Sequence, residues 1–115
     1  MSADCVFCYI IIKTAPAKII REWDDCIAFV PLNPVVEGHI LVVPRWHAVD
    51  AKADPYTTGV VFKRAAELIG EHDVNLIANV GPLAGQTVFH LHVHIVPRTA
   101  GDKLCMPWDC ARVCT

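Results

Sequence analysis

Three histidines alternate with apolar residues in Phe89-His90-Leu91-His92-Val93-His94-Ile95-Val96. On an extended chain, residues two apart share a face. His90, His92 and His94 therefore line one side, and Phe89, Leu91, Val93 and Ile95 the other. The apolar side can pack under a helix. The histidine side is not ordinary core, because three imidazoles need three sets of polar partners. A plain solvent-facing strand would be served as well by Ser, Thr or Lys. Imidazole is a nucleophile, proton donor or metal ligand near neutral pH, and such a row supplies that chemistry. Just upstream lies Gly81-Pro82-Leu83-Ala84-Gly85-Gln86-Thr87. Small residues such as Gly85 let backbone N–H groups approach an anion, and Gln86 and Thr87 add side-chain donors. An anion loop feeding a row of histidines points to phosphate chemistry.

A second constellation involves sulfur. Cys5-Val6-Phe7-Cys8 is a C-x₂-C pair, half of a tetrahedral zinc site. His47, in Pro44-Arg45-Trp46-His47, and His90 are candidates for the other half. The competing reading is two packed cysteines near a chain end and a surface histidine. Another arrangement has the three alternating histidines share a catalytic zinc, but no nearby carboxylate completes such a site or serves as base. Cys26 sits alone in an apolar run and reads as a buried, inert thiol. Cys105, Cys110 and Cys114 have no partner histidine; they read as tail thiols without function or as an intermolecular link. His72 reads as a solvated residue beyond a helix end.

These residues must be held by a framework, and the spacing predicts one. Cys5 to Ile12 reads as a short helix or turn. Ile19–Trp23 and Cys26–Val30 are β-prone runs joined by Asp24-Asp25, a hairpin signal. His39–Val43 is a third strand, stopped by Pro44. Asp54-Pro55 opens the main helix, about Tyr56–Gly70, with Gly70 as its cap. Val74–Asn79 and Val88–Val96 complete five strands. The class is α+β: a five-stranded antiparallel sheet, one main helix and a short N-terminal helix.

Composition bounds the rest. The 115 residues suit one domain, with a core of about 5–108 and a cysteine-containing tail, 109–115. Hydrophobic residues make up 54%, which excludes a disordered chain. Ten Lys and Arg against twelve Asp and Glu give a net charge of −2, which argues against a nucleic-acid binder acting through its overall field. No apolar run reaches the roughly 20 residues of a membrane span, and no basic n-region precedes Val6–Ile12. The expectation is a cytoplasmic protein with reduced thiols.

The stretch Gln86 to Val96 resembles the signature of the histidine triad (HIT) superfamily, His-φ-His-φ-His-φ-φ after Gln-Ser/Thr. Leu32-Asn33-Pro34 through Gly38-His39 to Arg45 is similar to the family's N-terminal strand segment, and Gly101-Asp102 to Pro107-Trp108 to the ending of some bacterial members. The likeness runs from about Cys5 to Trp108. It implies a HIT-like fold and a nucleotide hydrolase or transferase acting at the α-phosphate, on nucleoside phosphoramidates or dinucleoside polyphosphates. His92 would be the nucleophile of a nucleotidyl-histidine intermediate. His94 and His39 fit donors to phosphate oxygens. Thr87 and Gln86 fit contacts to the bridging atom and leaving group, and Asn79 a contact on the phosphate side. Where many members hold the ribose with an acid or amide, eight residues before His39, this chain has Pro31; Asn33 is the expected substitute. Members opening with Cys-x-x-Cys imply one structural zinc per chain on Cys5, Cys8, His47 and His90. The family also implies a homodimer, which would cover surplus apolar surface. Rival classes are the metallohydrolase above, a non-catalytic nucleotide-binding protein, and a thiol-based redox or metal-storage module that would leave the triad unexplained.

Overall fold

A computed structural model of the chain describes residues 4–106 and 108. The expected tail 109–115, with Cys110 and Cys114, lies outside these residues. Eight elements follow in the order α1 (Val6–Ile11), β1 (Ile19–Glu22), β2 (Cys26–Phe29), β3 (Ile40–Pro44), α2 (Pro55–Glu67), β4 (Asp73–Ile77), a 3₁₀ turn (Pro82–Ala84) and β5 (Val93–Arg98). The strands form one antiparallel sheet ordered β1-β2-β3-β5-β4. The α+β class and the five strands stand as the sequence predicts.

Both faces of the central strands are covered, which explains why β2 and β3 read as unbroken apolar runs. Under α2 lie Cys26, Ala28, Val42, Val93 and Ile95, packed with Val61 and Ala65 of the helix. Small residues on this side let the helix come close. On the opposite face Ile27, Phe29, Leu41 and Val43 pack against Phe7 and Ile10 of α1. Each fully buried Ile, Leu, Phe or Val contributes about 1.5–3 kcal/mol.

The helix starts are set by side-chain caps. Asp54 accepts from the Thr57 N–H at 3.0 Å, and Pro55 occupies the first turn, where its missing N–H costs nothing. The buried Thr57 hydroxyl donates back to Asp54 and accepts from Trp46 Nε1 at 2.9 Å. At its other end α2 stops earlier than expected. The N–H groups of Leu68 and Ile69 bond the carbonyls of Ala65 and Ala66, a tightened last turn. Gly70 is not in the left-handed region and does not cap the helix. Arg64 of α2 reaches the hairpin: it lies over the Trp23 ring and bonds both carboxylate oxygens of Asp25.

β5 is shifted. It begins at Val93 rather than Val88, because the preceding backbone bonds elsewhere. The Leu91 N–H donates to the Ala48 carbonyl at 2.6 Å, the Val88 carbonyl accepts from Gln86 Nε2, and the His90 carbonyl accepts from the His92 ring. The alternation survives for Leu91, Val93 and Ile95, which are buried in the α2 core. Phe89 departs from it and is 46% exposed.

Candidate functional site

The segment before β5 belongs to two clusters at once. In the first, three pieces of chain meet. Cys5 caps α1, its Sγ accepting from the Cys8 N–H at 3.4 Å, so both sulfurs sit at the helix start. His47 follows β3, and His90 precedes β5. The four donor atoms lie within 4.8 Å of one another. His90 Nδ1 is 3.4 Å from Cys5 Sγ, 3.5 Å from Cys8 Sγ and 3.2 Å from His47 Nδ1; His47 Nδ1 is 3.4 Å from Cys8 Sγ. Tetrahedral zinc, with bonds of about 2.3 Å to sulfur and 2.0–2.1 Å to nitrogen, sets ligand atoms roughly 3.3–3.8 Å apart. The donor set fits zinc. Its outer support fits too: His90 Nε2 donates to the Pro44 carbonyl at 3.0 Å, turning the Nδ1 lone pair toward the cluster. Burial pushes His90 down to about 4, so the imidazole stays neutral, as a ligand must, while it raises the Cys5 thiol and so disfavours the thiolate until a cation offsets that charge. Among the described residues, this is the one such group of His, Cys, Asp or Glu.

The second cluster holds the other histidines. His92 is 7% exposed, and its Nδ1 lies 2.7 Å from the His90 carbonyl. A carbonyl only accepts, so Nδ1 carries the proton and Nε2 keeps its lone pair. Burial lowers the pKa of His92, and with it the charge that would quench a nucleophile. Phe7 of α1 meets the His92 ring edge-on at 5.1 Å and the His90 ring at 5.9 Å. His94 stands beside His92 with ring centroids 5.0 Å apart, and its pKa falls to about 4 through burial and the neighbouring His92 and His39. His39 is buried just before β3, its Nε2 at 3.0 Å from His94 Nδ1.

The loop residues divide. Asn79 lines a cavity of about 340 Å³ with His39 and His94. Gly85, at φ +97°, backs onto it; a Cβ there would lie 3.3 Å from Asn79 Nδ2. Gln86 is buried, and its amide is spent on the backbone: it accepts from Gly81 N–H and donates to the Val49 and Val88 carbonyls. It braces the loop. Thr87 is exposed and lines a different cavity, with Cys5, His47 and Phe89. Asn33 is exposed and does not line the cavity that holds His39 and His94. Of the other cysteines, Cys26 is fully buried and its thiol is pushed up to about 12 by burial, which fits an inert group. Cys105 is disulfide-bonded, not a free tail thiol.

Sequence reasoning missed Phe7, although it lies inside the C-x₂-C motif. It also missed the carbonyls of Pro44, His90 and Ala48, which carry no residue-type signal.

The family model for the HIT domain matches residues 13–101. The chain is 35% identical over 109 residues to the adenylylsulfatase of Arabidopsis thaliana, covering 88% of the chain and 55% of that protein. It is 31% identical over 102 residues to the adenosine 5′-monophosphoramidase of Saccharomyces cerevisiae, covering 85% and 65%. The chain thus spans less than two thirds of either relative. The crystal structure of a zinc-bound histidine triad family protein from Mycobacterium smegmatis superposes with a TM-score of 0.80 at 36% identity, covering 95% of this chain and 85% of that one.

Proposed function

Since the chain belongs to the HIT domain family, we propose that it hydrolyses a nucleotide conjugate at the α-phosphate, with His92 as nucleophile. The observation that carries this reading is the 2.7 Å bond from His92 Nδ1 to the His90 carbonyl, which leaves Nε2 as a free lone pair. Nε2 attacks the α-phosphorus, and the bond from phosphorus to the leaving group breaks. The nucleotidyl group then sits on His92 until water attacks phosphorus and releases the nucleoside monophosphate. Nδ1–H stays on the His90 carbonyl throughout and steadies the ring as it becomes cationic. His94 donates to the phosphoryl oxygens as charge builds, Asn79 and the Gly85 backbone hold the phosphate side, and Gln86 keeps the loop in shape. The exposed Thr87 takes the leaving-group side.

The relatives named above as acting on adenylyl compounds support substrates of the nucleoside phosphoramidate or mixed-anhydride type. Cys5, Cys8, His47 and His90 would hold one structural zinc per chain. Four protein donors leave no open position, so the geometry favours structural over catalytic metal. Bound there, it would tie α1 to the segment before β5 that presents His92. The chain is proposed to work as a homodimer. The test is hydrolysis of adenosine 5′-phosphoramidate by wild type and His92→Ala. The expected result is turnover by the first and none by the second; undiminished turnover in the variant would refute the assignment.

A further inference from the structure

His39 has no nitrogen left for a substrate. The backbone N–H of Val35 donates to its Nδ1 at 3.1 Å, and its Nε2 faces His94 Nδ1 at 3.0 Å. The Val35 contact decides where the proton sits. An amide N–H is never an acceptor, so Nδ1 of His39 must be one. A neutral imidazole then carries its single proton on Nε2. A doubly protonated ring would set N–H against N–H, and the ring is 4% exposed, which further disfavours charge. Nε2–H of His39 therefore donates to Nδ1 of His94, and His94 is left with its own proton on Nε2.

We propose that the Val35 amide, acting through His39, fixes His94 as the Nε2–H tautomer, so that His39 is a positioning residue and not a phosphate ligand. The chain of bonds runs one way: Val35 N–H to His39, His39 Nε2–H to His94. Its origin is local. Val35 lies four residues before His39 in a loop bounded by Pro34 and Gly38. The His39 N–H closes that loop onto the Val36 carbonyl at 3.2 Å. Gly38, at φ +89°, leaves just enough room for Pro97, since a Cβ would come within 3.2 Å of its ring. Val35, His39 and His94 line the same cavity as Asn79. On the reading given under Proposed function, the result is a neutral His94 that offers a hydrogen bond to phosphoryl oxygen. The other tautomer would present a lone pair to an anion.

The test uses the whole protein with ¹⁵N-labelled histidine. Nitrogen chemical shifts report which ring nitrogen of His94 is protonated, with no substrate present. His39→Gln places an amide N–H near the Nε2 position; His39→Leu leaves no donor. In wild type and His39→Gln, His94 should be wholly Nε2–H. In His39→Leu it should become a tautomer mixture, with kcat falling on the order of 10²-fold while KM changes little. His39→Gln should recover most of that loss. Should His39→Leu fail to fold, Val35→Pro removes the first donor and should release the tautomer of His39 itself. A wild-type His94 carrying its proton on Nδ1, or a Leu variant that keeps the Nε2–H form, overturns the proposal. An Nε2–H His94 in a protein that hydrolyses nothing upholds the relay and refutes the catalytic reading.

Discussion

His90 donates Nε2–H to the Pro44 carbonyl, His92 donates Nδ1–H to the His90 carbonyl, and His94 receives at Nδ1 from His39. Identical side chains are thus given different free nitrogens by their neighbours. Burial keeps them neutral, and that has a consequence for stability. His94 titrates at about 4 in the folded chain, against roughly 6.5 for an unperturbed histidine. A basic group whose pKa is depressed on folding takes up protons first in the unfolded state. Its contribution is complete above the unfolded value and drains away as pH falls toward the folded one. His39 and His92 shift in the same direction. The urea midpoint should therefore drop between about pH 6.5 and pH 4. The drop should be smaller in His94→Phe at equal metal content; an unchanged drop would remove His94 as a source. The histidine pattern was legible because side chains spell it out. Its division of labour was not, because backbone carbonyls and one amide set it, and these are the same in every residue. Under the proposed relay His39 positions His94 instead of donating to phosphate, a distinction that residue types do not carry.

Among the elements, α1 joins the two clusters. One turn and a half of helix carries Cys5, Cys8 and Phe7, so whatever fixes the sulfurs also fixes the ring that meets His92 edge-on. Phe7 also packs against Phe29 at 5.4 Å, on the sheet face opposite α2. Cys8→Ser should lower bound zinc well below one ion per chain by atomic absorption and reduce the melting temperature. Phe7→Ala should retain the metal yet cost about 3–5 kcal/mol, with slower turnover as His92 loses its packing. A Phe7→Ala enzyme of full stability and full rate would contradict this coupling. The strands were legible in existence more than in extent. β2 and β3 carry unbroken apolar runs, β-branched in β3, and Asp54-Pro55 is a cap with a mechanism. β5 was misplaced because strict alternation also describes an extended segment whose hydrogen bonds go to a loop and to side chains. Gly70 misled because a glycine near a helix end need not be its cap.

Among the described residues the sheet ends in β1 on one side and β4 on the other. Ile77 at the end of β4 and Val80 just after it are exposed. Such an edge invites pairing unless something covers it. If two copies pair there, sedimentation at micromolar concentration gives twice the chain mass, whereas a monomer would remove the proposed dimer. Among the described residues, no helix is long and apolar enough to cross a membrane. The HIT family likeness was legible in the sequence, because the triad, the glycine loop and the C-x₂-C pair are each local in sequence. What joins them is not local: forty-six residues separate His90 from the Pro44 carbonyl that orients it.

The proposed mechanism requires His92 to be covalently loaded during turnover. Intact-protein mass spectrometry after brief mixing with adenosine 5′-phosphoramidate measures this directly, for wild type and His92→Ala. A transient mass increase of one adenylyl group on wild type, mapped to His92 and absent from the variant, is the predicted result. Hydrolysis that continues in His92→Ala, or an adduct on another residue, would contradict it.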